Sequence, residues 1–209
     1  MDKYFDKSYR EIIEEAASSS PTPGGGNVSA MVACMGNAMV SMVANLTSGK
    51  EKYAEYQSQV DALLAKSKSI MSRLEELAYA DMQVFGKFMT AIKMPKETDE
   101  EKQARSAAME EASKTATDVP MDIAATCVEI IELAVDLAAY GNKGAISDVG
   151  VGAYIAEASM EGALLSADIN LGGIKDQEYV KNAVAKRDRL RQKAQELRAK
   201  AVEAVKERM

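Results

Sequence analysis

The chain has 209 residues, enough for one domain with a sizeable core or two small ones. Ala and Met are abundant, Trp is absent and β-branched runs are short, so composition favours helices over strands. A formal net charge of −6 argues against a nucleic-acid partner, and the absence of histidine removes Ser-His-Asp and Cys-His catalysis and the usual zinc sites.

Residues 3–17 carry Tyr4, Phe5, Tyr9, Ile12, Ile13 and Ala16 as an apolar stripe at helical spacing, which predicts a short amphipathic helix. The opening residues hold no apolar signal region, so a cytoplasmic location is expected. No charged residue then occurs between Glu15 and Lys50. Pro21, Pro23 and the run Gly24, Gly25, Gly26 form a rigid approach followed by a permissive loop. Asn27 occupies an N-cap position, and residues 28–46 follow with helical composition, mixing Met and Val with Ala, Gly, Ser and Cys. Small residues let helices approach closely, so this segment reads as a central buried helix. Its length also meets the requirement for a membrane span, but Asn37 and Asn45 interrupt it and no second comparable segment exists, so no membrane partner is expected. A Gly-rich turn into a core helix is often only a turn. The same loop exposes backbone N–H groups beside a positive helix end, which suits an anionic or carbonyl-rich ligand.

A long helix is predicted over residues 51–92. Its seam, Tyr56, Val60, Leu63, Ser67, Ile70, Leu74, Leu77, Asp81, Val84 and Phe88, alternates steps of four and three in heptad fashion. Asp81 thus falls on an apolar seam. Pro95 ends this helix, and Thr98 with Glu101 forms a capping box for the next. That next helix is polar as far as Ala116, and Pro120 either kinks or restarts it. The segment GNKGAIS is a loop, and Ser147 or Asp148 caps a helix running to about residue 170 that resembles segment 28–46 in its Ala and Gly content. The last helix, over residues 176–208, repeats apolar positions at heptad spacing. Its many Lys and Arg residues point to an acid-rich helix partner or a solvated face rather than RNA. Cys34 and Cys127 lie in apolar helical contexts, as buried reduced thiols do. The expected fold is an all-α multihelical bundle of six or seven helices, a single domain over residues 1–209 with the small-residue-rich helix at its centre. Two heptad seams lead us to expect a homodimer as well.

The stretch PTPGGGNVSAMVACMGNAMVSMVANLTSGKEKY resembles the opening motif of the formimidoyltetrahydrofolate cyclodeaminase / methenyltetrahydrofolate cyclohydrolase family. The segments DMQVF (81–85), MPKETDEEKQAR (94–105), VPMDIA (119–124), GNKGAISDVGVGA (141–153) and ALLSADINL (163–171) follow in that family's order. The resemblance implies a one-carbon folate enzyme whose substrate is a tetrahydrofolate derivative, with no metal and no further cofactor. It also aligns the family's proposed catalytic aspartate with Asp81, although Tyr79-Ala80-Asp81-Met82-Gln83 departs from the acidic context usual there.

On chemistry alone, a carboxylate on an apolar seam has a raised pKa and suits general acid–base work near neutrality, or else it fixes helix register. Asn142, Ser147 and Asp148 bracket a loop that the resemblance places beside the site, where plain N-capping is the alternative. Asn27, Asn45 and Thr47, at the two ends of helix 28–46, are candidates to line the same cleft. Lys50, Lys52 and Lys143 are candidates to meet a glutamate tail, or are simply solvated. With no fused transferase in the sequence, hydrolysis is expected slightly ahead of cyclodeamination. The alternative function is a non-catalytic helical adaptor that assembles through its seams.

Overall fold

The computed structural model describes residues 4–209. Among them there is no strand; six α-helices carry the fold. They are α1 (Tyr9–Ala16), α2 (Gly25–Thr47), α3 (Gln57–Ile92), α4 (Asp99–Tyr140), α5 (Ile146–Leu171) and α6 (Gln177–Arg208). Side-chain contacts fix their directions. Asn27 and Asn37 of α2 reach Ala78 and Ser67 of α3 respectively, so these helices are antiparallel. Arg187, Arg191 and Arg198 of α6 pair with Asp168, Glu161 and Glu157 of α5, again in opposite order. Lys186 and Lys193 meet Asp122 and Glu132 of α4 in the same order, so α4 and α6 run parallel. The cationic face of α6 is therefore answered by acids within the same chain.

The core is an aliphatic cluster in which the second half of α4 is deepest, with Ile123, Cys127, Ile130, Ile131, Ala134 and Leu137 fully enclosed. The small-residue-rich α2 packs against α3, α4 and α5. Against α5 the packing is backbone to backbone. A Cβ on Gly152 would fall 2.8 Å from the Gly36 carbonyl oxygen, and one on Gly162 2.7 Å from Ser29 Oγ, so only glycine lets the axes come this close. The two polar interruptions of the helical seams satisfy each other. Asn37 Nδ2 donates to the Ser67 carbonyl at 2.9 Å, and Ser67 Oγ donates to Asn37 Oδ1 at 3.1 Å, which pins the α2–α3 register.

The structure refines several expected boundaries. Only Tyr9–Ala16 of the first segment is α-helical, behind a separate turn at Tyr4–Asp6, and residue 3 lies outside the described residues. Ser8 caps α1 reciprocally with Glu11. Of the expected stripe, Tyr4 is buried while Tyr9 and Ile13 are exposed, because a helix of eight residues lies at the edge of the bundle and not in it. Residues 51–56 form a 3₁₀ turn before α3. The Thr98–Glu101 capping box is present. Helix α4 runs unbroken through Pro120. Helix α5 begins at Ile146 with no side-chain cap. Asn142 caps the turn before it by accepting from the Gly144 N–H, and Ser147 and Asp148 sit inside the first turn. Asn27 is likewise not the N-cap of α2. Gly24 is, and Asn27 is the third helical residue, reaching back to accept the Gly24 N–H at 2.8 Å.

Candidate functional site

The N-terminus of α2 meets the middle of α3 at Asp81. The first three N–H groups of a helix have no helical acceptor; here the Asn27 N–H turns toward the Asp81 carboxylate. The carboxylate lies flat on the Gly26 backbone, and a Cβ at Gly26 would sit 2.6 Å from Oδ1 and 2.7 Å from Oδ2. Gly25 has the same relation to α5, with its absent Cβ 2.9 Å from Ser166 Oγ. Two of the three consecutive glycines are thus required by side chains arriving from other helices, whereas Gly24 has more room. Asn27, itself buried, donates from Nδ2 to the Ala78 carbonyl at 2.7 Å, one turn before Asp81, and so ties the helix end to the strip of α3 that bears the carboxylate.

Around this junction is a cleft of about 460 Å³. Gly24, Gly25, Gly26, Asn27 and Asp81 form one side, Val84, Phe85 and Phe88 of α3 an apolar wall, and Pro120, Ser166 and Asn170 the far side. A concave apolar lining with a few convergent polar groups is the usual form of a small-molecule site. No ion pair among the described residues involves Asp81, and burial pushes its pKa up to about 6, against the smaller opposing pull of the Asn27 N–H. Both protonation states are therefore accessible near neutrality, the condition for giving or taking a proton.

The structure brings Asp81 together with Gly24, Gly25, Gly26 and Asn27, but not with the other candidates. Asn45, Thr47, Lys50, Asn142, Ser147 and Asp148 gather at the C-terminal end of α2, roughly 30 Å along a 23-residue helix from the glycine run. So Asn27, Asn45 and Thr47 do not share one cleft within the chain. At that far end Thr47 Oγ1 accepts the Asn142 N–H at 2.8 Å, and Asn142 Nδ2 donates to the Leu46 carbonyl at 2.8 Å. Arg208 closes the same knot by donating to the Ala138 and Gly141 carbonyls. The Lys143 N–H donates to the Tyr53 hydroxyl, and Lys52 Nζ lies 5.4 Å above the Tyr53 ring. Ser166 and Asn170 were not among the candidate site residues, although segment 163–171 carries both, and Phe85 and Phe88 appeared only within segment 81–85 and on the α3 seam.

The chain is similar to several known proteins. The profile of the family described as Formiminotransferase-cyclodeaminase matches residues 8–189. The chain is 38% identical to the methenyltetrahydrofolate cyclohydrolase of Methylorubrum extorquens, over 98% of both chains. It is 33% identical to the formimidoyltransferase-cyclodeaminase of Rattus norvegicus, over 84% of this chain but 32% of that longer one. The crystal structure of formiminotetrahydrofolate cyclodeaminase from Thermotoga maritima superposes with a TM-score of 0.87 at 26% identity, covering 96% of each chain.

Proposed function

The chain belongs to the formiminotransferase-cyclodeaminase family, and from that premise we propose that it is a one-carbon folate enzyme acting at 5,10-methenyltetrahydrofolate. Two reactions converge on that species. In cyclodeamination, N10 attacks the formimino carbon carried on N5 and its own proton passes to the terminal nitrogen; that nitrogen then takes a second proton, the C–N bond to it breaks, and ammonia leaves. Neutral Asp81 supplies that second proton. In hydrolysis, water attacks the cationic methenyl carbon and gives one proton to ionised Asp81; the remaining hydroxyl proton passes to N5 as the C–N5 bond opens, leaving 10-formyltetrahydrofolate. The carboxylate also offsets the positive charge of the methenyl bridge. Neither reaction draws on a metal or a nucleotide.

The observation that carries this reading is Asp81 itself: a carboxyl with no ion-pair partner among the described residues, seated on Gly26 at a helix N-terminus, with its pKa pushed up to about 6. Relatives that match the chain from end to end include a cyclohydrolase and a cyclodeaminase, so both substrates belong in the test. Purified protein is assayed with 5,10-methenyltetrahydrofolate and with 5-formiminotetrahydrofolate, following the methenyl chromophore. Turnover of either above the uncatalysed rate is expected. Turnover of neither, with no thermal shift on adding tetrahydrofolate, overturns the reading in favour of a helical adaptor.

The same reading includes a homodimer. Its support is the outward face of α2 and α5, where Val28, Val32, Met35, Met42 and Leu46 lie beside Val151, Tyr154, Leu165 and Ile169, all exposed. A contiguous apolar surface on two adjoining helices is an interaction face, and a second copy of the chain is its occupant. A cytoplasmic location completes the reading, in keeping with two free cysteines, Cys34 and Cys127.

A further inference from the structure

Pro120 lies in the interior of α4 and has no N–H, so the Ala116 carbonyl one turn earlier has no helical partner. A donor from α5 fills the gap: Asn170 Nδ2 donates to the Ala116 carbonyl at 2.9 Å. The second Nδ2 hydrogen goes to the Ser166 carbonyl, also at 2.9 Å. Both neighbours are carbonyl oxygens, which only accept, so the two ends of the Asn170 amide cannot be exchanged. Its Oδ1 is the end left over, with no hydrogen bond to any described residue. Asn170 is half-buried and lines the cleft that holds Asp81, Gly25 and Gly26. Asn170 is thus a cleft-lining amide of fixed orientation whose acceptor end has no partner among the described residues, and a proline that removes the competing backbone donor makes it so.

We propose that Asn170 is a specificity-determining residue whose Oδ1 accepts an N–H of the reduced pterin ring, and that Pro120 is the positioning residue that holds it there. This rests on the folate reading above. A tetrahydropterin carries several N–H donors along its ring, and an acceptor that cannot rotate away selects for them. A site built around such a bond rejects ligands that lack the donor, because its own polar group is then left unpaired. Asp81 stays available for the one-carbon centre.

The test uses three variants of the full chain: Asn170→Leu, Pro120→Ala, and the two combined. Asn170→Leu removes the acceptor but also strands the Ala116 carbonyl. In the double variant the restored residue-120 N–H satisfies that carbonyl from within α4, so the melting temperature returns toward that of the wild type. The expected result is that Asn170→Leu weakens tetrahydrofolate binding by roughly 10- to 100-fold, the range for a lost hydrogen bond that leaves a polar group unpaired. The loss in kcat/KM should appear mainly in KM, and both should persist in the double variant despite its recovered melting temperature. If the dissociation constant and KM recover together with the melting temperature, Asn170 is only a structural brace and the inference is overturned. If wild-type protein binds no reduced folate in isothermal titration, the folate reading fails and takes this inference with it. If wild-type protein binds and the double variant binds equally well, this inference alone fails.

Discussion

Asp81 is held against the backbone of Gly26 by the approach of α2 to α3, and a Cβ at residue 26 would overlap its carboxylate at 2.6–2.7 Å. Gly26→Ala is therefore expected to displace the carboxylate and lower kcat by on the order of 10²-fold, the scale for small misplacements of a reacting group. Gly24→Ala, whose Cβ would meet nothing closer than 3.5 Å, should lose much less; equal losses in steady-state assays would refute the contact argument. Asp81→Asn keeps the shape and removes the titrating group. Turnover should fall by roughly 10²–10⁴-fold if Asp81 transfers the proton. Near-normal turnover in a folded Asp81→Asn protein would end that assignment. The pKa shift also sets a direction for stability. The folded carboxyl binds its proton more tightly than the unfolded one, so its stabilising contribution is complete below about pH 4 and is lost as pH rises through about 6. Asn does not titrate, so the melting temperature of Asp81→Asn relative to wild type should rise between pH 4 and pH 7; a flat or falling difference contradicts the burial. The pH profile of kcat/KM separates the reactions as well: a base limb rising through about pH 6 marks hydrolysis, and an acid limb falling there marks cyclodeamination. The candidate carboxylate was legible from a heptad count, because a charged residue on an apolar seam stands out. Asn170 was not, since its orientation depends on a carbonyl freed 54 residues earlier in the chain.

Helix α2 shows how composition becomes geometry. Gly36 faces Gly152, Gly162 faces Ser29 and Gly25 faces Ser166, a line of small residues along the antiparallel α2–α5 pair. That line sets the interaxial distance and hence how near Ser166 and Asn170 come to the glycine run. Gly152→Val would press a side chain onto the Gly36 carbonyl and Val40, both 2.8 Å from the added Cβ. It should destabilise the fold by about 1–3 kcal/mol, as overpacking does. Urea titration measures the change, and an unaltered midpoint would show that the helices can part without loss. The periodicities of α3 and α6 predicted these helices and much of their buried sides, and composition predicted α2 and α5 as helices, but α2, expected to be buried at the centre, keeps one apolar face exposed. Asn142, Ser147 and Asp148 were harder to read, because the cap of a 3₁₀ turn and the first turn of an α-helix use the same residue types. The expectation for Pro120 remained open between a kink and a restart because a proline can be absorbed inside a helix only if a donor comes from elsewhere, and sequence spacing does not reveal that donor.

At the scale of the whole molecule, the seams of α3 and α6 that first pointed to a dimer are turned inward: Val60, Leu63, Ile70 and Leu74 of α3 and Ala194 and Ala201 of α6 belong to the chain's own core. The outward apolar surface lies instead on α2 and α5. Met35 is 54% exposed, Leu165 67% and Ile169 83%. These side chains recur at heptad-like steps along two helices locked side by side by glycine, so the surface is both apolar and rigid, with little entropy to lose on docking. A single copy of the same face meets the requirement of a two-fold pair, in which each partner offers the same patch. Although α2 is long and apolar enough to cross a membrane, 56% of its apolar window is buried within the protein, which leaves a stripe rather than a full circumference. Ile169 belongs both to this face and to the Asp81 cleft, so the second copy would border the cleft mouth. Light scattering at micromolar concentration should give twice the 22.5 kDa chain mass for the wild type and 22.5 kDa for Met35→Lys/Leu165→Lys. The double variant should keep its helical circular dichroism, because both side chains leave the core untouched. Activity should fall with dimer content if the partner closes the mouth, and dilution of the wild type should reproduce that fall. A monomeric wild type would refute the dimer, and binding of that monomer to lipid vesicles would assign the stripe to a membrane surface.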